Sequence, residues 1–476
     1  LLVTTSNRWL ILIAMTGSLS MIMIDQTVVT VALPDMSRDL PLSANGQQWV
    51  VNAYVLALAA LVAVGGKLGN RLGPVTCFRL GVIGFFAASV GCALAPHDDI
   101  GQSWMLVARG VQGAGAALMM PVSAVLVTNA FPVSQRGRAM AIYAGISQIF
   151  LATGPLIGGV LTEHVSWRAV FWLNLPVGLA TLVLVHIARP PNDRHAGRMR
   201  PLDVVLLVAG LASTVFALQQ ASQWGWGSGR TIGLLALGVA LTSVFVWSQL
   251  RTSDPLVAVR LLGRRAFAGD LGVAFGIQFA LLGAVLYSSL YLQDLLKFSP
   301  VSSGLAVLPF ILPITVAAQL GGRWYDRAGV RPPVLIGLGL SALGFVAWTI
   351  SLPHLTYIGQ IPGMILAGLG LGLTLSPNNT DALGRADDSE RTQASALLQT
   401  FRQLGGTVGV AVIGTIVLSY ERAGTRAASP QHAADAITAG FAAASIAFAA
   451  TAVFGWFMLS RTRIASAAGG EAAALI

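Results

Sequence analysis

The feature that most constrains this chain is a succession of long apolar runs, each about as long as a bilayer's hydrocarbon core is thick. A helix rises about 1.5 Å per residue, so roughly 20 apolar residues cross a core of about 30 Å. Runs near residues 9–33, 48–66, 77–95, 103–129, 138–161 and 168–188 form a first group of six. Two more lie near 202–220 and 231–250, and a second six near 267–292, 302–321, 333–351, 357–376, 395–419 and 439–460. Lipid offers no hydrogen bonds to a bare backbone, so runs of this length must close their own ladders as helices. The expected fold is an all-α polytopic membrane protein with fourteen transmembrane helices. Composition agrees, since 10% of the 476 residues are charged, against about 25% in soluble domains.

The formal net charge of +10 would suggest nucleic acid for a soluble protein. Here the membrane's own charge rule accounts for it. With the N-terminus cytoplasmic, 21 of the 29 Lys and Arg fall in cytoplasmic loops and six on the opposite side, while Arg109 and Arg402 lie inside spans. That bias orients the chain with both termini cytoplasmic and removes the need for a nucleic-acid partner. The first span serves as the insertion signal. Cys77 and Cys92 lie in or beside one run and indicate neither a disulfide framework nor a metal site. Two Lys against 27 Arg suits a GC-rich bacterial genome, and the bacterial inner membrane is the expected location.

An internal repeat divides the chain. Gly66-Lys67-Leu68-Gly69-Asn70-Arg71-Leu72-Gly73 follows the second span, and Gly322-Arg323-Trp324-Tyr325-Asp326-Arg327-Ala328-Gly329 follows the tenth, 256 positions later. The same offset carries Pro121 onto Pro377. Spans one to six thus correspond to nine to fourteen. The expected division is a six-helix half at 1–188, a linker with two inserted helices at 189–266, and a second six-helix half at 267–476.

Two charges stand out inside the runs. Asp25 is the only acid or base between Trp9 and Leu33, and Arg109 sits within span four. A buried ionised group costs at least about 2.5 kcal/mol at membrane depth unless it is paired or wetted, so each is a functional residue by default. They are each other's obvious partners. The arginine favours the ionised acid and burial favours the protonated one, so a conformational change that alters either can load or release a proton. A purely structural pair between spans one and four is the competing reading.

Four stretches in order carry a family resemblance that covers nearly the whole chain. They are Asp25-Gln26-Thr27-Val28-Val29 through Ala32-Leu33-Pro34, the Gly66–Gly73 loop, Arg109-Gly110-Val111-Gln112-Gly113-Ala114-Gly115, and Gly154-Pro155 with Gly158-Gly159. Gln48-Trp49-Val50 with Tyr54, and Trp167-Arg168 with Asn174-Leu175-Pro176, flank them. Together they resemble the fourteen-span drug:proton antiporters (DHA2) of the major facilitator superfamily. The resemblance implies proton coupling through Asp25 and Arg109, and a sealing and pivoting role for Gly154, Pro155, Gly158 and Gly159. It implies conformational control by Gly66, Asn70, Arg71, Gly73 and, in the second copy, Asp326. The chain departs from the family where Asn70 replaces the usual Asp and where Pro74 and Val75 replace basic residues, which implies a weaker cytoplasmic lock.

Spacing adds independent detail. Gly154 and Gly158 make a thin helix face for close packing, and Pro155 removes a backbone donor and invites a bend. The buried ionic machinery is expected in the first half alone, since the offset carries Asp25 and Arg109 onto Leu281 and Ile365. Arg402, early in its run, is expected to snorkel to the headgroups.

A midplane cavity between the halves is expected to be lined by Met23, Trp49, Tyr54, Gln112, Met119, Met120, Phe150, Gln278, Tyr287 and Tyr291, with Asp25 its deep acid. Methionine and aromatic surfaces adapt to varied apolar shapes. The expected function is proton-driven export of hydrophobic or amphipathic compounds, cationic ones included, by alternating access. A lipid or endogenous-metabolite exporter on the same scaffold is the alternative. The six histidines lie mostly in loops without a recurring acidic partner, so an enzyme is not expected. The expected partners are the bilayer, a small hydrophobic substrate and protons, in a monomer driven by the proton gradient without a cofactor.

Overall fold

The computed structural model describes residues 5–40, 42, 44–98, 100–194, 199–252, 255–387, 390–423 and 430–462. Of the loop cations counted above, Arg198, Arg426 and Arg463, and the side chain of Arg422, lie outside this description. The described residues hold sixteen α-helices. In the first half these are α1 (Thr5–Asp39), α2 (Ala44–Leu72), α3 (Pro74–Ala93), α4 (Gly101–Ala130), α5 (Val133–His164), the short α6 (Ala169–Trp172) and α7 (Asn174–Ala188). Then come α8 (Pro201–Trp224) and α9 (Gly229–Arg251). The remainder are α10 (Arg265–Leu290), the short α11 (Pro300–Ala306), α12 (Leu308–Ala328), α13 (Arg331–Ser351), α14 (Ile361–Gly384), α15 (Arg391–Ala423) and α16 (Pro430–Met458).

By length and apolarity, twelve helices among the described residues can cross a membrane, or thirteen if the bent α5 is one span. The expected count of fourteen is not reached on this criterion. The helix that falls short is α12, whose last turns carry Arg323, Asp326 and Arg327.

One apolar core is built from α1–α5 and α7 around Phe78, Phe85 and Val122, and another from α10 and α12–α16 around Phe310, Phe345, Phe441 and Phe448. The hairpin α8–α9 leans on the flank where α2 and α15 meet: Trp49 stacks on Phe216 at 5.2 Å between ring centroids, and Trp226 Nε1 donates to Thr415 Oγ1 at 2.5 Å. The sequence repeat has a backbone counterpart. Gly73 and Gly329 close the two copies with φ of 89° and 79°, a conformation open to glycine at no steric cost. An added Cβ at Gly73 would also collide with Asn192, whose Oδ1 accepts from the N–H groups of Val75 and Thr76 at 2.9 and 3.3 Å. That side chain satisfies the start of α3 where the family's basic residues are missing.

The end of the bundle where α1 starts is called the near end below, and the opposite end the far end. At the near end the halves are joined. Arg391 Nη1 on α15 donates to Asn129 Oδ1 on α4 at 2.9 Å, and Ser376 Oγ on α14 donates to the Gly137 carbonyl of α5 at 3.3 Å. Gly137 lies so close to α12 that a Cβ there would come within 3.0 Å of Asp326 Oδ1.

Candidate functional site

Asp25 is fully buried, past the middle of α1 toward the far end, and Arg109 of α4 is 1% exposed. Arg109 Nη1 donates to Asp25 Oδ2 at 2.5 Å, and Gln112 Nε2, one helical turn further along α4, donates to Asp25 Oδ1 at 2.8 Å. Asn174 Nδ2, at the start of α7, reaches the same oxygen at 3.4 Å. Ser89 Oγ on α3 accepts from both amides, at 3.0 and 3.2 Å. The guanidinium is held independently: Nε donates to the Val50 carbonyl at 2.9 Å, Nη1 also donates to Gln112 Oε1 at 2.6 Å, and the group lies over the Tyr54 ring at 4.5 Å. Five helices thus meet around one buried ion pair, where charge-assisted bonds are strong and unpaired groups are costly. Oδ1 accepts from two amides and Oδ2 from the guanidinium alone, so a proton on Oδ2 competes directly with Arg109.

The other face of α1 looks elsewhere. Met23 and Gln26 line a cavity of about 60 Å³ between the halves, walled by α1, α4, α5, α10, α14 and α15. That is room for water, whereas drug-sized ligands occupy about 300–1,000 Å³, so cargo requires the halves to part. Asp25 is not among the lining residues.

The Gly-Pro segment of α5 joins these two faces. Pro155 has no N–H to give the carbonyl of Leu151, four residues back, and α5 bends by 42° there. Thr27 Oγ1, two residues from Asp25, donates to that carbonyl at 2.9 Å. A Cβ at Gly154 would run into Thr27 Oγ1, and one at Gly158 would lie 2.8 Å from Val28 Cγ2 and 2.9 Å from the Val28 carbonyl. Gly158→Val is therefore expected to force α1 and α5 apart and to destabilise the protein by about 1–3 kcal/mol, as overpacking does. A thermal unfolding midpoint equal to that of the parent protein would contradict this.

The structure scatters the other expected lining residues. Met23, Met120 and Gln278 face the cavity. Tyr54 and Gln112 belong to the ion-pair cluster, and Trp49 packs on the inserted hairpin. Met119 lies buried beneath Gly81, and Phe150 is exposed. Tyr287 lies against Gly414, and Tyr291 donates to the Leu352 carbonyl at 2.6 Å. Among the loop residues, Gly66 and Asn70 are buried and Arg71 is exposed, while Gly159 is buried on α5.

Two expectations about charge are corrected. Arg402 does not snorkel: α15 begins eleven residues earlier, and the side chain lines the cavity with Nη2 donating to Asn379 Oδ1 at 2.7 Å. Ionic groups are also buried in the second half. Arg385 Nε donates to Asp381 Oδ2 at 2.5 Å and lies 3.9 Å from Asp270 Oδ2, and Tyr325 donates to Asp381 Oδ1 at 3.2 Å. The sequence signal for this cluster was Asp270, four residues into its apolar run; Asp381 gave less, lying just beyond one.

Two related helical halves, a cavity between them and a fully buried ion pair at membrane depth define a membrane transporter that works by exposing one site to alternate sides. The Major Facilitator Superfamily pattern matches residues 15–410. The chain is 34% identical to the puromycin resistance protein pur8 of Streptomyces alboniger, over 97% of this chain and 94% of that protein. It is 32% identical to the multidrug resistance protein Stp of Mycobacterium tuberculosis (strain ATCC 25618 / H37Rv), over 87% and 76% respectively. A double-Trp mutant of XylE superposes with a TM-score of 0.71 over 99% of both chains at 15% identity, a likeness of fold alone. The chain belongs to the Major Facilitator Superfamily, whose members are transporters and not enzymes.

Proposed function

We propose that this protein is a proton-driven exporter of hydrophobic or amphipathic small molecules in a bacterial inner membrane, working as a monomer with both termini in the cytoplasm. The near end of the bundle is then the cytoplasmic gate. The observation that carries the reading is the position of Asp25: buried against Arg109 on one face of α1, while Met23 and Gln26, on either side of it in the sequence, line the cavity. Proton arrival at Asp25 loosens Arg109, and α1 is then free to shift against α2 and α4. The same shift moves the cavity wall and, through Thr27, the bend in α5. Proton binding and cavity shape are thus two ends of one helix, with no cofactor needed. Relatives named for antibiotic and multidrug resistance support small-molecule export as the direction. One pH unit supplies about 1.4 kcal/mol per proton. In proteoliposomes with an imposed pH step, a panel of fluorescent amphipaths should move against their own gradients as protons move the other way. No gradient-dependent movement of any of them would overturn the reading.

A further inference from the structure

The cavity carries an unexpected sign. Arg402 is the only charged residue lining it among the described residues, and the nearest acids in sequence to its walls, Asp25 and Asp381, do not line it. Asp25 is held by Arg109, Gln112 and Asn174 on the far face of α1. Asp381, two residues beyond Asn379, turns to Arg385 and Tyr325. One buried donor of the lining, Arg402 Nε, has no hydrogen-bond partner among the described residues.

We propose that Arg402 is a substrate-binding cation, and that the cargo is an amphipathic anion: an aromatic or aliphatic body bearing a carboxylate, a sulfonate or an ionised phenol. This rests on the export reading above and names the substrate class of that same cavity. A guanidinium stays charged under all physiological conditions and offers a planar fork that matches a carboxylate or sulfonate. In an enclosure away from bulk water, with no acid among the described lining residues, it attracts an anion and repels a cation far more strongly than it would in water. Gln278, Gln399 and Gln403 supply neutral hydrogen bonds around it, and Met23, Met120 and Met140 supply an adaptable apolar wall. The expectation of cationic cargo drew on aromatic faces and on Asp25 as the cavity's acid, and Asp25 does not line this space.

The charge of the cargo changes what drives the cycle. One proton entering as one anion leaves moves two positive charges inward, so an inside-negative potential accelerates export. Exchange of a proton for a monovalent cation moves none.

Two measurements on the full chain test this. In lipid nanodiscs, with no gradient, 1-anilinonaphthalene-8-sulfonate should bind more tightly than ethidium, and Arg402→Gln should weaken the sulfonate at least ten-fold without weakening ethidium. Arg402→Lys, which keeps the charge, should retain part of the affinity. In proteoliposomes of the unaltered protein, an inside-negative potassium diffusion potential should speed sulfonate export. Tighter binding of ethidium than of the sulfonate, or a sulfonate affinity indifferent to Arg402→Gln, overturns the proposal even if ethidium is exported on a pH step and the export reading stands. If nothing is exported, the binding result still decides the cavity's preference, so the two readings fail separately.

Discussion

Asp25→Asn is expected to lower pH-driven export at least a hundred-fold, while the protein still folds and still exchanges substrate down its own gradient. The asparagine keeps the shape of the side chain and one oxygen that can accept from Arg109, so α1 remains seated against α4. What it loses is the ability to change charge. In the proposed cycle the parent protein passes through a protonated Asp25, in which the guanidinium has no anion opposite it. Arg109 must survive that state on the Val50 carbonyl, the Gln112 oxygen and the Tyr54 ring face, and the same contacts hold it in the variant. Export and counterflow measured side by side in proteoliposomes separate the two functions. A variant that still accumulated substrate against a gradient on a pH step would take Asp25 out of the coupling.

Much of this architecture was legible because a bilayer punishes exceptions. Helices had to appear as apolar runs, and two opposite charges alone in their runs had to meet; Asp25 and Arg109 do so. The repeat was legible because the two copies need the same turn, and Gly73 and Gly329 both adopt positive φ. Orientation about a helix axis was not legible. Asp25 and Gln26 are adjacent in sequence but about 100° apart around α1, and only the surrounding helices decide which one meets the cavity. Position along the axis misled at Arg402, because the apolar run starts later than the helix that carries it. Asp270 and Asp381 escaped for a related reason: each lies near the end of its helix, where an acid is ordinarily solvated, and only the packing of neighbouring helices buries them beside Arg385.

Arg109→Gln is expected to be far more damaging to stability than Asp25→Asn, and the combination of the two is expected to be milder than Arg109→Gln alone. Removing one partner of a fully buried ion pair leaves an uncompensated charge, at a cost of about 3–5 kcal/mol. For Arg109→Gln the stranded group is the carboxylate, with only the Gln112 and Asn174 amides still directed at it. The Tyr54 face and the Val50 carbonyl are left as well without the cation they surround. In the double variant both charges are gone, and two amides can hydrogen-bond across the same gap. Much of the loss should therefore return, giving a coupling energy of the sign and size of a buried pair. Cys77 and Cys92 are both buried and free, but Cys92 Sγ lies 3.9 Å from Gln112 Oε1, so unfolding is read in a Cys92→Ala background, where Cys77, packed on the Gly65 and Leu118 carbonyls, is the thiol that a fluorophore labels during a thermal ramp. Strict additivity of the two substitutions would mean that Asp25 and Arg109 do not depend on each other, and the release of one by protonation of the other would then have no energy behind it.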